Sequence, residues 1–267
     1  MTNILRADHV TKAYQVRGAP EMIAVRDLSL DVAEGEFVCL IGASGCGKST
    51  LLNMFAGFIQ PTQGTVSLRS EPITRIEPRC GMVFQSYALF PWKTVRGNVE
   101  FGLELKGIPS SERRRTAARF IEMVQLKGFE DRYPYELSGG MQQRVCLARI
   151  LAVDPMVLLM DEPFAALDAM TRQVLQEELL QIQERSRKTI VFITHNIDEA
   201  LILADRIVIL SARPGRVKAI VPNTLPRPRH VSIQLSPDYA ALKAKIWEHV
   251  EEEVQRHVEA DRLMAAG

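Results

Sequence analysis

The sequence predicts an α/β fold with a parallel sheet at its core, an antiparallel β subdomain at one edge and an inserted α-helical subdomain. Short runs of apolar, often β-branched residues recur along the chain with helical patterns between them, which is the alternation that a parallel sheet requires. The N-terminal segment instead alternates apolar and polar residues, as strands with one exposed face do. A long central stretch carries helical patterns alone.

The strand predictions depend on one alternating segment and several buried runs. Residues 4–32 lack helix periodicity, and "AVRDLSLDV" within them indicates a half-exposed strand of an antiparallel edge sheet. The next run, "EFVCLIG" at 36–42, is short and apolar and ends in glycine, as a buried strand that enters a loop does. Similar runs predict further parallel strands and lie at 156–163, 189–195 and 206–210.

The helix predictions place most helices in the middle of the chain. Helical patterns follow the first buried run at 51–55 and separate two later runs at 171–187. Between about 91 and 151 the apolar runs disappear. In that interval "SERRRTAARFIEMVQL" and "GGMQQRVCLARILA" predict the inserted helical subdomain.

The end of the chain is predicted to form an extension. A proline-rich connector, "VPNTLPRPRH", precedes a helix opened by Ser236 and Pro237. One face of that helix carries an apolar stripe at four-residue spacing, formed by Leu242, Ile246, Val250, Val254 and Val258. Such a stripe needs a surface to pack on. From the connector we place a domain at 1–216, with its helical subdomain at about 91–151, and a C-terminal extension at 217–267.

Composition describes a globular chain without a general attraction to polyanions. The 267 residues are 46% hydrophobic and 24% charged, and 33 Lys+Arg against 32 Asp+Glu leave a net charge of +1. The sequence shows neither a signal pattern nor an apolar run of membrane-spanning length, so we expect a cytosolic chain. The cysteines lack C-x-x-C spacing and are expected to be thiols rather than disulfides or zinc ligands; they are Cys39, Cys46, Cys80 and Cys146.

A phosphate-binding loop is predicted at residues 42–50. "GASGCGKST" fits G-x-x-x-x-G-K-[ST] and lies between an apolar run and a helix, the context that distinguishes a P-loop NTPase core from a chance glycine-rich turn. Backbone N–H groups would surround the phosphates, Lys48 would add a charge, and the Ser49 hydroxyl would ligate Mg²⁺. The residues predicted to bind nucleotide here are Gly42, Ser44, Gly45, Cys46, Gly47, Lys48, Ser49 and Thr50.

Two adjacent carboxylates end the apolar run "VLLMDEP" and are predicted to lie beside the P-loop. Asp161 would hold the water shell of the metal, and Glu162 would orient and deprotonate an attacking water. Adjacent acidic residues are usually solvated surface charge. The position directly after four apolar residues favours the functional interpretation.

Three further residues are weaker candidates on their own. His195 ends a buried run, at the sheet edge where a γ-phosphate would lie, although a lone histidine is more often structural. Gln85 follows "GMVF" and is suited to touch water and metal. Tyr14 would stack on adenine, but an isolated tyrosine in a strand more often packs in a core.

A second anion site is indicated by "LSGGMQQR" at 137–144, where Ser-Gly-Gly opens a helix. Taken together, the motifs resemble those of ATP-binding cassette (ABC) ATPases in order and spacing, over approximately residues 4–216. In that resemblance the A-loop is Tyr14, Walker A is 42–50, the Q-loop is Gln85, the signature is 137–144, Walker B is 157–162, the D-loop is "AALD" ending in Asp168, and the switch histidine is His195. One departure is Met141, where many family members have Gln.

The resemblance implies why one chain would carry two phosphate sites. In this family two cassettes meet head to tail, and the signature helix of each covers the γ-phosphate held by the P-loop of the other. It implies an ATPase that uses ATP and Mg²⁺, with Glu162, His195 and Gln85 as catalytic residues and Ser49, Gln85 and Asp161 at the metal. Nucleotide-binding residues beyond the P-loop and Tyr14 would be Ser138, Gly139, Gly140 and Asp168.

The resemblance also implies partners. One partner is a second ABC ATPase subunit, with which the chain is expected to form a homodimer. The others are transmembrane permease subunits and, indirectly, an extracytoplasmic solute-binding protein. No nucleic acid is expected as a partner. The chain would then lie at the cytoplasmic face of the cell membrane, held there by the permease. In family members the segment "SYALFPWKTVRGNVEFGL" receives the coupling helix of the permease, whereas the alternative places Phe90 and Trp92 in the core of the helical subdomain.

"RPGR", "LPRPR" and the terminal helix resemble the nitrate/sulfonate/taurine branch of importers. An exporter of lipid or lipoprotein is the main alternative. A DNA-maintenance ATPase would need a longer insertion between Gln85 and Leu137, and a ribosome-acting member would normally carry two cassettes. Because the cassette does not touch the solute, its residues leave the solute open.

Overall fold

The computed structural model describes residues 2–265 except 16, 17, 19, 87 and 166, and it describes side chains in the terminal helix as far as Glu253. Two residues of the terminal apolar stripe, Val254 and Val258, therefore have side chains outside the described part, as does Ala166 of the D-loop segment.

The described residues form strands and α-helices in the alternation that the sequence predicts. The strands are β1 (Asn3–Tyr14), β2 (Met22–Ala33), β3 (Phe37–Ile41), β4 (Gln63–Leu68), β5 (Glu71–Pro72), β6 (Cys80–Val83), β7 (Val157–Asp161), β8 (Thr189–Ile193), β9 (Arg206–Leu210) and β10 (Val217–Pro222). The helices are α1 (Lys48–Phe55), α2 (Val95–Leu105), α3 (Ser110–Met123), α4 (Gly139–Ala152), α5 (Ala169–Ser186), α6 (Ile197–Leu203) and α7 (Pro237–Ala265), with short 3₁₀ turns at Pro134–Glu136 and Val231–Leu235.

The central sheet has six strands in the order β10-β9-β3-β8-β7-β6. Strands β6, β7, β8, β3 and β9 are parallel, and they include all four predicted buried runs. β10 pairs antiparallel with β9. This strand was not anticipated, because its apolar run at 219–221 is only three residues long and only Val221 of the six residues is buried.

The antiparallel edge predicted for the N-terminus is confirmed as a four-stranded sheet in the order β2-β1-β4-β5. Strands β4 and β5 of this sheet were not anticipated. An isolated parallel bridge between Val25 of β2 and Gly215 connects this sheet to the loop that precedes β10. The two sheets therefore meet beside the loop at 42–47.

Helices α2, α3 and α4 lie between β6 and β7 in sequence and pack on one another, in the interval where helices were predicted. α7 packs on α6 and β10, and its Ile246 is fully buried. The division of the chain into units at residue 216 stays a prediction. No helix in the described part of the chain is long and apolar enough to cross a membrane.

The central sheet separates two apolar cores. Along β3, the side chains of Phe37, Cys39 and Ile41 join the core that contains α2 to α7. Val38 and Leu40 point to the opposite face and join the core of α1 and the antiparallel sheet. This alternation is the two-residue period of a strand that is buried on both faces.

Candidate functional site

The loop at 42–47 connects the end of β3 to the start of α1 and has the backbone of a phosphate-binding loop. Gly47 caps α1 in a left-handed conformation, with φ of 95°. A Cβ atom at this position would lie 2.7 Å from Val25 Cγ2 and 2.8 Å from the Ala24 carbonyl oxygen, so a side chain does not fit. The loop thus lies closely against β2, and the N-terminal N–H groups of α1 are available to an anion.

Lys48 is folded back into the loop. Its side chain is buried, and Nζ donates to the carbonyl oxygens of Gly42 and Ala43 at 2.9 Å each. An ammonium group has three donors. Two of them fix the side chain on the loop, and the third is directed to Cys46 Sγ at 3.6 Å, a weak acceptor that a bound phosphate can replace.

Ser49 and Asp161 supply oxygen ligands suited to Mg²⁺. The Ser49 hydroxyl donates to Asp161 Oδ1 at 3.1 Å, across the gap between α1 and β7. Burial is the main cause that raises the pKa of Asp161 above its ordinary value, while the hydrogen bond from Ser49 opposes it. A hydroxyl and a carboxylate, with the amide oxygen of Gln85 in the same cleft, form the hard oxygen donor set that Mg²⁺ prefers. The described residues contain no cluster of three or more His, Cys, Asp or Glu that could hold a metal by themselves.

Glu162 and His195 leave two neighbouring parallel strands and meet in front of the loop. Glu162 Oε2 lies 3.3 Å from His195 Nδ1. The Glu162 backbone has a left-handed φ of 45°, and its N–H donates to the Ile193 carbonyl at the end of β8. The Glu162 side chain is 25% exposed and that of His195 is 67% exposed. A carboxylate and an imidazole are therefore held together and are accessible to a ligand.

The structure brings most of the predicted residues into one cleft of about 780 Å³. The predicted residues that line it are Tyr14, Gly42, Ser44, Gly45, Cys46, Gly47, Lys48, Ser49, Thr50, Gln85, Glu162 and His195. The Lys12 ammonium lies 5.3 Å from the centre of the Tyr14 ring. Burial raises the pKa of the Cys46 thiol, as expected for a packed cysteine rather than a reactive one.

Three residues that also line the cleft were not predicted from the sequence. Met22 and Ala24 belong to β2 and lie opposite the end of β1. Arg213 comes from the loop between β9 and β10. The motif "RPGR" was visible in the sequence, but nothing in its spacing indicated that the loop returns to residues 42–50.

The residues of the second predicted anion site do not line this cleft. Ser138 caps α4 and accepts a hydrogen bond from the Met141 N–H at 3.3 Å. A Cβ atom on Gly140 would lie 2.5 Å from Thr171 Cγ2, so a small residue is required where α4 meets α5. Gly139 is the first residue of α4. The structure thus places this motif at a separate helix N-terminus.

Asp168 caps α5. Its Oδ1 accepts from the N–H groups of Met170 and Thr171 at 3.1 and 3.0 Å. Hydrogen bonding by Thr171 is the main cause that lowers its pKa. Its contacts within the chain are therefore those of a helix cap, and a role at a nucleotide stays a prediction.

Comparison with known proteins identifies the family. Residues 25–165 match the family described as ABC transporter. An uncharacterized ABC transporter ATP-binding protein of Methanocaldococcus jannaschii, MJ0412, is 50% identical over 94% of this chain and 92% of its own length.

Two relatives from Synechococcus elongatus carry more specific names. The bicarbonate transport ATP-binding protein CmpC is 44% identical, and the nitrate import ATP-binding protein NrtC is 43% identical. Each match covers 92% of this chain but 38% of the relative, so these relatives are much longer proteins.

Among solved structures, the dimeric ATP-binding cassette MJ0796, in a post-hydrolysis state bound to ADP and Pi, is similar to this chain. The TM-score is 0.75 at 34% identity, and the match covers 83% of this chain and 100% of that one. The resemblance inferred from the motifs is thereby confirmed. This chain belongs to the ABC transporter family and is one of its ATPases.

Proposed function

We propose that this chain is the ATP-hydrolysing motor subunit of an ABC importer, which dimerises around two ATP molecules and drives a permease for a small solute. The observation that carries the proposal is the separation of two anion-binding elements in one chain. Lys48, Ser49 and Glu162 line one cleft, and Asp161 accepts a hydrogen bond from Ser49. Ser138 lies outside that cleft at the start of α4. Each chain then supplies complementary halves to two shared sites.

Nucleotide binding is assigned to the P-loop and the aromatic residue opposite it. The N–H groups of residues 42–50 and the Lys48 ammonium bind the phosphates, and Tyr14, which lines the same cleft, stacks on adenine. Mg²⁺, held through Ser49 and Asp161 with Gln85 beside them, neutralises the charge of the phosphate oxygens when bound. None of these groups needs a second chain, so a single cassette binds ATP.

Hydrolysis is assigned to Glu162 and His195. The Glu162 carboxylate orients a water molecule and accepts its proton as the water oxygen attacks the γ-phosphorus, which releases ADP and inorganic phosphate. His195 holds the carboxylate through Nδ1 and leaves its other ring nitrogen for the γ-phosphate. Both groups project from strand ends, so small movements of the strands would change their alignment.

The second cassette is expected to complete the site. The Ser138 hydroxyl and the free N–H groups of Gly139 and Gly140 are a neutral anion site, which gains interaction energy only when a partner presents its γ-phosphate. ATP therefore stabilises the dimer, and hydrolysis removes the group that joins the two chains. A second copy of this chain is the partner that we propose.

A permease is proposed to dock at the segment that follows Gln85. Trp92 is 72% exposed, and its ring lies 5.6 Å from that of the half-buried Phe90. An exposed tryptophan supported by a second aromatic ring is typical of an interface anchor. Binding to a permease at this surface would place the chain at the cytoplasmic face of the membrane.

Import of a small anion is favoured over export by the named relatives. The relatives named for bicarbonate and nitrate transport support a small anionic solute. Sulfonates belong to the same class, and taurine is a zwitterion that carries the same sulfonate group. Export of lipid or lipoprotein is the alternative. Copurification with a permease, followed by ATP-dependent uptake of nitrate, bicarbonate or taurine into membrane vesicles, tests the direction and the solute.

The shared site is tested by two substitutions. Lys48→Ala should weaken ATP binding to the isolated chain, because it removes the charge that is fixed on the loop. Ser138→Arg should leave that binding unchanged but abolish hydrolysis, because it blocks the phosphate of the partner. Equal loss of ATP binding in both variants would mean that Ser138 belongs to the cleft of its own chain, and the shared site would be wrong.

A further inference from the structure

The loop between β9 and β10, residues 211–216, is fixed to two other parts of the molecule. On one side, Gly215 N–H donates to the Ala24 carbonyl at 2.9 Å, and Arg26 N–H donates to the Gly215 carbonyl at 3.0 Å. On the other side, Ala212 N–H donates to Glu253 Oε2 of α7 at 2.6 Å. The loop therefore joins β2, which borders the nucleotide cleft, to the C-terminal helix.

Arg213 carries a positive charge from this loop into the cleft. Its Nε donates to the Gly45 carbonyl at 3.3 Å, and Nη1 lies 3.3 Å from Met22 Sδ. Among the described residues, no carboxylate lies within ion-pair distance of its guanidinium. Arginine donors that face a phosphate-binding loop without a carboxylate partner are suited to an anionic ligand.

The position of Arg213 indicates which part of a nucleotide it faces. Gly45 belongs to the P-loop, while Met22 pairs with Tyr14 across β1 and β2. A nucleotide with its base on Tyr14 and its terminal phosphates on the P-loop must pass between these two points. That middle portion is present in both ATP and ADP.

We propose that Arg213 binds the phosphate chain of the nucleotide on its ribose side, and that Glu253 is a positioning residue that holds the loop of Arg213 in place. The inference depends on the proposed nucleotide site. It assigns to the C-terminal extension an influence on nucleotide affinity, transmitted by the hydrogen bond that Glu253 of α7 accepts from the Ala212 N–H.

Glu253 is well placed for this role. It is 1% exposed, and its Oε1 accepts from Lys218 Nζ at 2.9 Å while Oε2 accepts from the loop. The adjacent Glu252 pairs with the same lysine at 2.5 Å, but its side chain is 59% exposed. The two glutamates therefore offer a matched comparison on one helix, in which Glu253 carries the hydrogen bond to the loop.

The role of Arg213 is tested by isothermal titration calorimetry of the full chain. One titration uses ATP in the presence of EDTA, which prevents hydrolysis by removing the metal, and a second uses ADP. Loss of one charge-assisted hydrogen bond predicts that Arg213→Ala weakens binding of both nucleotides by about tenfold. Arg213→Lys should restore part of the affinity, because it restores the charge. Arg216→Ala removes the other arginine of the same loop, whose side chain does not line the cleft, and should leave binding unchanged.

The test of Glu253 compares three variants. Glu253→Ala should raise the dissociation constants for ATP and for ADP by equal factors, as Arg213→Ala does. Glu253→Gln keeps an oxygen acceptor and should bind both nucleotides nearly as the wild type does. Glu252→Ala should not change affinity. In the Arg213→Ala background, Glu253→Ala should cause no further loss, because both changes act through the same guanidinium.

Several outcomes would overturn the proposal. They are equal affinity of Arg213→Ala and Arg216→Ala, an Arg213 effect on ATP without one on ADP, or additive losses in the double variant. Lys48→Ala separates this inference from the proposed function. If Lys48→Ala loses nucleotide and Arg213→Ala does not, only the role of Arg213 is wrong; if neither loses nucleotide, the assignment of the cleft is wrong.

Discussion

Replacement of Glu162 by Gln is the most direct test of the proposed chemistry. The substitution keeps the size of the side chain and an oxygen acceptor, but it removes the group that would accept the proton of the attacking water. Loss of a general base lowers a rate by about 10²–10⁴, which corresponds to roughly 3–5.5 kcal/mol of the activation free energy. We expect kcat to fall within this range.

The structure predicts that ATP binding survives the same substitution. The described hydrogen bond of the Glu162 side chain is the long one to His195 Nδ1, at 3.3 Å, and a glutamine oxygen can replace that acceptor. The contacts of Lys48 with the loop do not involve Glu162. The dissociation constant for ATP should therefore change by less than about twofold, below ~0.4 kcal/mol.

Phosphate release and size-exclusion chromatography with light scattering measure the two effects. Because hydrolysis no longer removes the γ-phosphate, the variant should form a persistent dimer with ATP and remain a monomer with ADP. Glu184→Gln, the same chemical change at an exposed position of α5, is the control. Hydrolysis at the wild-type rate would remove Glu162 from the mechanism. An inactive variant that stays monomeric at high ATP would show that dimerisation needs the permease.

Three other predictions concern the metal site, the extension and the partner surface. Asp161→Asn should abolish Mg²⁺-dependent hydrolysis but raise the melting temperature in metal-free buffer at neutral pH, because burial raises the folded-state pKa of Asp161 and makes its ionised carboxylate unfavourable. The difference in melting temperature between variant and wild type should shrink as the pH falls through that raised pKa, where Asp161 of the wild type takes up a proton. Ile246→Ala should cost about 2–4 kcal/mol of unfolding free energy in thermal or urea denaturation, with ATP affinity unchanged in the protein that remains folded. Trp92→Ala should leave stability within about 0.5 kcal/mol and ATP hydrolysis intact, but should reduce copurification with the permease; normal copurification would contradict the docking surface.

The sheet core and its phosphate loop could be predicted because they depend on short-range patterns. A run such as 36–42 is buried whatever its neighbours are, and the P-loop requires glycine and lysine at fixed spacing. α4 begins and ends at the residues of the predicted helical pattern, since Ser138 caps it. Local chemistry determines these elements.

β10 and Arg213 could not be predicted because they depend on long-range pairing. β10 is a strand because its backbone pairs with β9, and its apolar run at 219–221 is too short to predict a strand by itself. Arg213 reaches the cleft because Gly215 pairs with β2, nearly 190 residues away in the sequence. The separation of Ser138 from the cleft likewise becomes visible only when both elements are placed in one fold.

The two cores on opposite faces of the central sheet have a genetic consequence. A destabilising substitution in the core that contains Val38 and Leu40 loosens the side of the sheet that carries α1 and the P-loop. A substitution in the core that contains Phe37 and Ile41 loosens the side that carries α4 and α5. Adjacent codons of one strand should therefore yield two classes of temperature-sensitive alleles. One class would lose nucleotide retention first, the other would lose pairing between cassettes first, and suppressor mutations should arise mainly on the same face as the lesion that they correct.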